Sequence, residues 1–273
     1  MNLRPTLLLL LAPTLLGAGT ARDLPDWAQA VYQASRQSAK PAEADEWVLL
    51  DRTEFAYTGD GEIAIHRYRL TEVLTRRGVG AGLFTLTGLG GGASKVKKLK
   101  GWNLRPDGEL VKLDSDSVVA VERPGDSTGI SNTRLTGAGL ERVVEGSIVA
   151  FESLQVETHP GGPAEITGVM EPQPIFRWEI RAATQAGWFR SLKQVSSRIQ
   201  FSHFEPWIPS PTVVPGVSIT ADNIPALPAG ESASPSSWGI LPRVAITFMD
   251  PDLKGVPALD SWNGIASWTD SVF

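Results

Sequence analysis

Cysteine is absent from this chain, and histidine, methionine and tyrosine occur only three times each. The chain therefore forms no disulfide and offers no thiolate nucleophile. It also lacks the thiol to which a bacterial lipoprotein attaches its lipid. Small exported domains often depend on disulfides. This fold must instead be held by its core, and a chain of 273 residues can bury about 70–75% of its unfolded surface.

Long hydrophobic runs are also absent, because no apolar stretch reaches the roughly 20 residues that span a bilayer. The longest runs from Leu7 to Ala18, after Arg4 and ahead of the small residues 19–21. A basic start, a short apolar core and small residues before a cut are typical of a secretory signal peptide. We expect cleavage after Ala21, export to the periplasm or the outside, and a mature chain without a transmembrane segment.

Positive charges are outnumbered, 25 against 30 negative ones, and the formal net charge is −5. A balance of this sign and size argues against a nucleic-acid groove or a strongly anionic-membrane surface. The one basic cluster is Lys95, Lys97, Lys98 and Lys100. Lysines at this spacing indicate a solvated strand face or a protected sheet edge.

One amphipathic helix is predicted at the start of the mature chain. Apolar residues recur at helical spacing from Trp27 to Ala34, after Asp23 as the expected N-cap. Lys40-Pro41 ends the pattern.

From Glu46 onward the pattern changes to strands joined by tight turns. Trp47–Tyr57 and Ile63–Leu74 flank a turn at residues 58–61 that contains Asp-Gly. Within Ile63–Leu74 the apolar face changes midway, which predicts a β-bulge. A second hairpin turns at Pro106-Asp107-Gly108.

Further strands are predicted at residues 118–121, 146–156, 175–181 and 192–199. No heptad, internal repeat or βαβ alternation occurs. We therefore predict an all-β fold, an antiparallel two-sheet β-sandwich. It has a short N-terminal helix and a C-terminal helix that leads to a domain absent from this sequence.

Proline concentrates in residues 206–258, which hold ten of the twenty prolines. This composition predicts an extended connector packed on the sandwich, with one strand at Val244–Met249. After it, apolar residues from Trp262 to Val272 share one face of a predicted helix. The predicted domains are 1–21 signal peptide, 22–45 helical segment, 46–205 β-sandwich, 206–258 connector and 259–273 the start of a helix into a truncated domain.

Several motifs occur in an order that resembles a known family. They are EWVLLDRTEFAY from Glu46, YRLTEVLTRRG from Tyr68, LRPDGELVKL from Leu104, ERVVEGSIVAFES from Glu141 and LDSWNGIASW from Leu259. Together they resemble the DUF3857 module, which precedes transglutaminase-like domains in bacterial exported proteins. The resemblance covers residues 24–273 and implies a β-sandwich ahead of a papain-like domain. That domain's Cys-His-Asp triad would carry the chemistry, and no position of this chain matches it.

Two motifs suggest catalysis or phosphate binding but lack the necessary context. Gly125–Gly129 matches G-x-S-x-G around Ser127, yet Pro124 separates it from the preceding strand and no helical pattern follows. Gly88–Gly92 lacks the G-K-[ST] ending of a phosphate-binding loop. A stand-alone hydrolase would need Ser127 within reach of a histidine, or a buried carboxylate pair in a cleft. We predict polar loops at both motifs.

Candidate metal ligands are likewise poorly spaced. The three histidines, His66, His159 and His203, do not form an H-x-x-H or H-E-x-x-H motif. The pairs Asp114/Asp116 and Asp250/Asp252 lack the glycine and distal glutamate of a calcium loop. We therefore predict no catalytic residue, no metal ion and no cofactor, and expect that this chain is not an enzyme.

Tryptophan, with nine residues, is the strongest sequence signal for binding. Several tryptophans, Trp178 among them, lie in or beside loops and the proline-rich segment. There they could stack on a ligand or fill a core or an interdomain seam. The predicted binding or interdomain residues are Trp188, Trp207, Trp238, Trp262 and Trp268.

Two functions remain open from the sequence. The first is a non-catalytic exported module that supports or positions an adjacent transglutaminase-like domain of the same polypeptide and contacts its protein substrate. The alternative is a carbohydrate-binding β-sandwich that acts on envelope or extracellular polysaccharide, with exposed tryptophans as its platform.

Overall fold

A computed structural model describes residues 23–59, 62–89, 93–123, 133–158, 164–168, 173–183, 196–202, 208, 211–215, 217–226 and 242–249. These ranges hold one α-helix, α1 (Asp26–Ser35), the 3₁₀ turns Arg76–Gly82 and Ser115–Ser117, and fourteen strands. The strands are β1 (Glu46–Gly59), β2 (Glu62–Val73), β3 (Leu83–Leu89), β4 (Ser94–Leu104), β5 (Leu110–Lys112), β6 (Val118–Arg123), β7 (Thr133–Gly139), β8 (Ile148–Thr158), β9 (Ala164–Gly168), β10 (Ile175–Ala182), β11 (Ser196–Ser202), β12 (Thr212–Val214), β13 (Ser218–Ile224) and β14 (Arg243–Met249).

Eight strands form one large sheet in the order β12-β13-β10-β1-β2-β8-β4-β5. Two three-stranded sheets accompany it. We call them the β14 sheet (β11-β14-β9) and the β7 sheet (β3-β7-β6) after their central strands. The predicted all-β sandwich is confirmed. One detail differs from the prediction, because β1 and β10 pair in parallel and make the large sheet mixed.

Both small sheets pack on the same face of the large sheet, which we call the sandwich face. Phe55 and Ile65 of the large sheet pack with Ile246 of the β14 sheet in the largest core cluster. Farther along, Phe151 stacks on Phe84 of the β7 sheet, with ring centroids 4.8 Å apart. The second layer of the sandwich is therefore divided between two separate sheets.

Helix α1 covers part of the opposite face, which we call the helix face. Its buried residues Ala28 and Val31 pack on Leu50 and Leu70. The helix begins after Pro25, which makes no side-chain capping bond, so the expected N-cap at Asp23 is wrong. Among the helices that the structure describes, none has the length and apolar content needed to cross a membrane.

The β1–β2 hairpin is confirmed, but its register shifts lie in β1, between Val48 and Leu50 and between Tyr57 and Gly59, so the bulge predicted within β2 is wrong. From Glu62 to Glu72, β2 pairs with β8 in unbroken register. The apolar face changes because the two faces of the large sheet are covered at different places. Ile65 points into the β14 sheet core, whereas Leu70 points to α1.

The hairpin between β4 and β5 is confirmed as well. Gly108 has φ +90°, a conformation that glycine adopts easily. The Arg105 amide donates to the Glu109 carbonyl at 2.9 Å and closes the turn.

The proline-rich segment contains more sheet than the sequence predicted. The expected strand at Val244–Met249 is present as β14, and β12 and β13 are additional strands of the large sheet. The boundary at residues 205/206 therefore does not end the sheet. The prolines Pro211, Pro215, Pro225 and Pro242 flank these strands, where a missing backbone donor does the least harm. The division into domains stays a prediction, and the helix predicted at 259–273 lies outside the described residues.

Candidate functional site

A band of charged side chains crosses the helix face of the large sheet. Cross-strand register places Arg52 opposite both Glu179 and Tyr68, and Tyr68 opposite Glu152. The members of this polar band are Asp222, Arg177, Glu179, Arg181, Arg52, Glu54, His66, Tyr68, Glu152 and Lys98. Four basic and four acidic side chains in this set offset each other, so the band has little net charge when His66 is neutral.

At one side of the polar band, Glu179 is surrounded by arginines. Its carboxylate accepts hydrogen bonds from Arg52 Nε at 2.8 Å and from a terminal nitrogen of Arg181 at 2.6 Å. Arg177 Nε lies 4.0 Å away and also binds Asp222 at 2.9 Å. The Glu179 side chain is only 5% exposed. The arginines therefore supply the hydrogen bonds that water would give to an exposed carboxylate.

At the centre of the band, His66 links a phenol to a carboxylate. Its Nε2 lies 2.9 Å from Glu152 Oε1, and its Nδ1 lies 2.9 Å from the Tyr68 hydroxyl. Lys98 binds the same oxygen of Glu152 from β4. The His66 side chain is 3% exposed, so solvent has almost no access to the ring.

The protonation of this group follows from its contacts. Burial opposes the charge on Glu152, but the hydrogen bonds from His66 and Lys98 outweigh it and lower the pKa of Glu152 to about 2. Burial, followed by the carboxylates of Glu54 and Glu152, raises the pKa of Tyr68. An ionised carboxylate only accepts hydrogen bonds. A neutral His66 therefore donates from Nε2 and accepts at Nδ1 from Tyr68.

Aromatic packing fixes the orientation of Tyr68. The Arg52 guanidinium carbon lies 5.7 Å from the centre of the Tyr68 ring, in reach of a cation–π contact. Trp27 of α1 meets the ring edge-on with centroids 5.3 Å apart. The helix thus holds one end of the hydrogen-bonded chain Tyr68–His66–Glu152.

A second polar group lies on the sandwich face. The Gln155 amide donates to Ser94 Oγ at 2.7 Å and to the Thr87 carbonyl at 3.3 Å, and Arg67 donates to its oxygen at 3.1 Å. Thr87 belongs to the β7 sheet, so these bonds connect that sheet to the large one. A Cβ at Gly88 would lie 2.1 Å from Ser94 Oγ, which explains the glycine there.

Chemically, the polar band stabilises fixed charges and is poorly suited to nucleophilic attack. The raised pKa keeps the Tyr68 phenol protonated near neutral pH, where it donates a hydrogen bond. The lowered pKa keeps Glu152 ionised. Its carboxylate also accepts hydrogen bonds from His66 and Lys98, so it is a weak base. Among the described residues, no group of three or more histidine, aspartate or glutamate side chains could hold a metal ion.

The sequence-predicted binding residues Trp188, Trp207, Trp238, Trp262 and Trp268 all lie outside the described residues. Ser127 and its G-x-S-x-G motif, His159, His203 and the Asp250/Asp252 pair lie outside them as well. Trp178 is described and is 3% exposed in the sandwich-face core. It therefore fills the core, one of the two roles that the sequence left open.

Two other sequence features have clear structural roles. Asp114 Oδ1 accepts from the Asp116 amide at 3.1 Å and caps a 3₁₀ turn. Lys95, Lys97 and Lys100 are exposed along β4, as expected of a solvated strand. Lys98 is the exception, because it turns to Glu152.

The sequence did not reveal the polar band, although alternation of charged residues along β2 and β10 was a signal for it.

Ten chains of solved structures match this chain, and two of them are as follows. A crystal structure of a candidate protease from Parabacteroides distasonis matches with a TM-score of 0.55 and 14% identity, over 76% of this chain and 41% of that chain. An M1 zinc metallopeptidase from Deinococcus radiodurans matches with a TM-score of 0.32 and 10% identity, over 75% of this chain and 42% of that chain. The second score is too low to support an argument.

No family model matches the sequence, and no curated protein matches it. The first structural match shows a shared fold. This chain spans less than half the length of that protein. It therefore resembles one part of a larger chain.

Proposed function

We propose that this chain is a non-catalytic, exported β-sandwich module that positions an adjacent domain of the same polypeptide. The observation that carries the proposal is the fold match to 41% of a longer chain described as a candidate protease. Such a partial match is what an accessory domain of a protease-like protein gives. The motif order that resembles DUF3857 makes a transglutaminase-like domain with a Cys-His-Asp triad the proposed neighbour.

The contacts within the polar band favour a structural role for this module. Glu152 and Glu179 are each held by several donors, and Tyr68 is held by His66. Side chains engaged in this way rigidify a sheet. A rigid platform suits a module whose task is to present or orient a neighbour.

Turnover assays on the isolated module test the non-catalytic role. Residues 22–273 are expressed alone and assayed for amidase, protease and transamidation activity. We expect rates equal to those of a heat-denatured control. Robust turnover that survives repurification would overturn the proposal, and loss of that turnover in Tyr68→Phe or Ser127→Ala would assign it to one region.

The carbohydrate-binding alternative has its own experiment. Intrinsic tryptophan fluorescence is titrated with peptidoglycan fragments and soluble glycans. We expect no saturable change, because the proposed partner is a protein domain. A saturable quench that disappears in Trp188→Ala, Trp207→Ala or Trp238→Ala would favour the alternative instead.

A further inference from the structure

The outer face of the β7 sheet, which faces away from the large sheet, carries leucine, valine, threonine and glycine along most of its length, and the register places one charged residue, Arg123, at the end of β6. Outward positions alternate with buried ones along β3, where Leu83 is 73% exposed and Leu86 is 3% exposed. On β6, Val119 and Val121 are 60% and 52% exposed. A solvated strand face normally carries charged residues. This one therefore has the composition of a contact surface.

The centre of this face is a shallow furrow. Cross-strand register places Gly137 between Thr85 of β3 and Val119 of β6, and places Gly139 beside Leu83. A Cβ built at Gly137 would meet no atom within 4 Å. Gly137 and Gly139 thus leave one end of the groove floor without side chains, and Leu135 on the same strand bounds it. Leucine, threonine and valine form its walls, and we call this surface the β7 furrow.

We infer that the β7 furrow is the docking surface for the C-terminal segment Leu259–Phe273. The segment is the part of this chain with matching chemistry, because Trp262, Ile265, Trp268 and Val272 share one face of the predicted helix. Large indole rings can fill the space above the two glycines. Their burial replaces contacts with water by contacts with the methyl groups of the furrow walls. The inference deepens the proposed function and rests on it, since the docked segment would fix where the neighbouring domain begins.

The chain is long enough to reach the furrow. Phe248 of β14 stacks on Tyr57, which pairs with Ile63 of β2. The β7 sheet packs at Phe151, which pairs with Arg69 of β2. Six residues of strand separate those β2 positions, about 20 Å. The fourteen residues from Phe248 to Trp262 can span about 45 Å when extended.

A competing apolar patch exists at the edge strand β12, where Val213 and Val214 are 37% and 45% exposed. It consists of one short strand and lacks a glycine floor between two walls. A helix with two indole rings would bury less apolar surface there. The β12 patch therefore serves as the control surface.

Disulfide trapping tests the inference cleanly, because the chain contains no cysteine of its own. In the predicted helix, position 269 falls beside the apolar face, so Thr269→Cys is combined with Val121→Cys on one wall of the furrow or Thr85→Cys on the other. The control pair is Thr269→Cys with Val214→Cys, whose exposure matches that of Val121. Oxidation under dilute conditions is followed by mass spectrometry of the non-reduced protein.

We expect at least one furrow pair to form an intrachain disulfide at least about tenfold faster than the control pair, because docking raises the effective concentration of the two thiols. Equal rates for furrow and control pairs would overturn the inference. Disulfides that form only between two chains would overturn it too, and would assign the furrow to self-association.

Two further variants show whether the contact depends on shape. Gly137→Leu fills the furrow floor, and Trp268→Ser removes one of the docking rings. Each should slow trapping in the furrow pair to the control rate while far-UV circular dichroism stays unchanged. Unchanged trapping in both variants would contradict docking in the furrow. Catalysis by the isolated module would overturn the proposed function and leave the trapping rates as they are, so the two failures are distinguishable.

Discussion

Nε2 of His66 lies 2.9 Å from Oε1 of Glu152, and the two residues are 86 positions apart in the sequence. Adjacent strands bring them together, and Lys98 approaches the same carboxylate from a third strand. This arrangement makes Glu152 the residue whose loss most directly tests the polar band.

Glu152→Gln should lower the free energy of unfolding by about 2 kcal/mol, because it removes the charge that balances Lys98 and weakens the bond to His66. Urea denaturation at neutral pH measures the change. Glu145→Gln, on an exposed turn, is the matched control and should change stability by less than about 0.5 kcal/mol. Equal effects of the two variants would mean that the band contributes little.

Stability should also depend on the charge of Glu152. Its pKa is about 2 in the folded state against an ordinary value of 4.5. Its stabilisation is therefore complete above pH 4.5 and is lost as the pH falls toward 2. Unfolding free energies at about pH 5 and about pH 3 should differ less in Glu152→Gln than in the wild type. An identical acid-induced loss in both proteins would refute this account.

Tyr68 should titrate later than an ordinary tyrosine, because burial and two nearby carboxylates raise its pKa. Absorbance at alkaline pH reports tyrosine ionisation, and the chain has only three tyrosines. Tyr68→Phe should remove a late-titrating component. It should also cost about 1 kcal/mol for the lost hydrogen bond to His66. Tyr32→Phe is the control, and an unchanged late component in Tyr68→Phe would contradict the prediction.

Arg52 and Glu179 should be energetically coupled. A double-mutant cycle with Arg52→Ala and Glu179→Gln should give a coupling energy of about 1–2 kcal/mol, since the Glu179 carboxylate is nearly buried and keeps Arg181 as a second donor. The exposed pair Arg77–Asp45, with 83% and 36% exposed side chains, should show much weaker coupling. Equal coupling in the two pairs would indicate that burial does not matter here.

Gly78 should tolerate no side chain. A Cβ there would lie 2.1 Å from the Asp45 carbonyl oxygen, which belongs to the backbone and cannot move aside easily. Gly78→Ala should destabilise the fold by about 2–3 kcal/mol. Gly137→Ala, where a Cβ meets no atom within 4 Å, should be neutral or slightly stabilising. Thermal unfolding of both variants measures the difference in stability. Similar melting temperatures would contradict the predicted clash at Gly78.

Much of the fold was predictable because its signals are local. The β1–β2 and β4–β5 hairpins follow from turn residues such as Gly108, which acts through its own φ. The face change along β2 is visible in the sequence, where a bulge is the local explanation. The correct cause, coverage of Ile65 and Leu70 by different partners, depends on elements that are distant in sequence.

The polar band was not predictable from single residues. His66 alone carries no sign that Glu152 and Tyr68 will flank both of its ring nitrogens. The predicted binding tryptophans lie outside the described residues, so their role remains a prediction.

The sequence alone determined the strand periodicity, the turns and the lack of any thiol chemistry, because each depends on residue type and near neighbours. Tertiary structure alone decided that β10 lies parallel to β1 and that β13 from the proline-rich segment completes the large sheet. It also decided that Glu179 meets Arg52 across them. Pairing between distant strands depends on which buried faces and charges fit together, and that fit is a property of the assembled sheet.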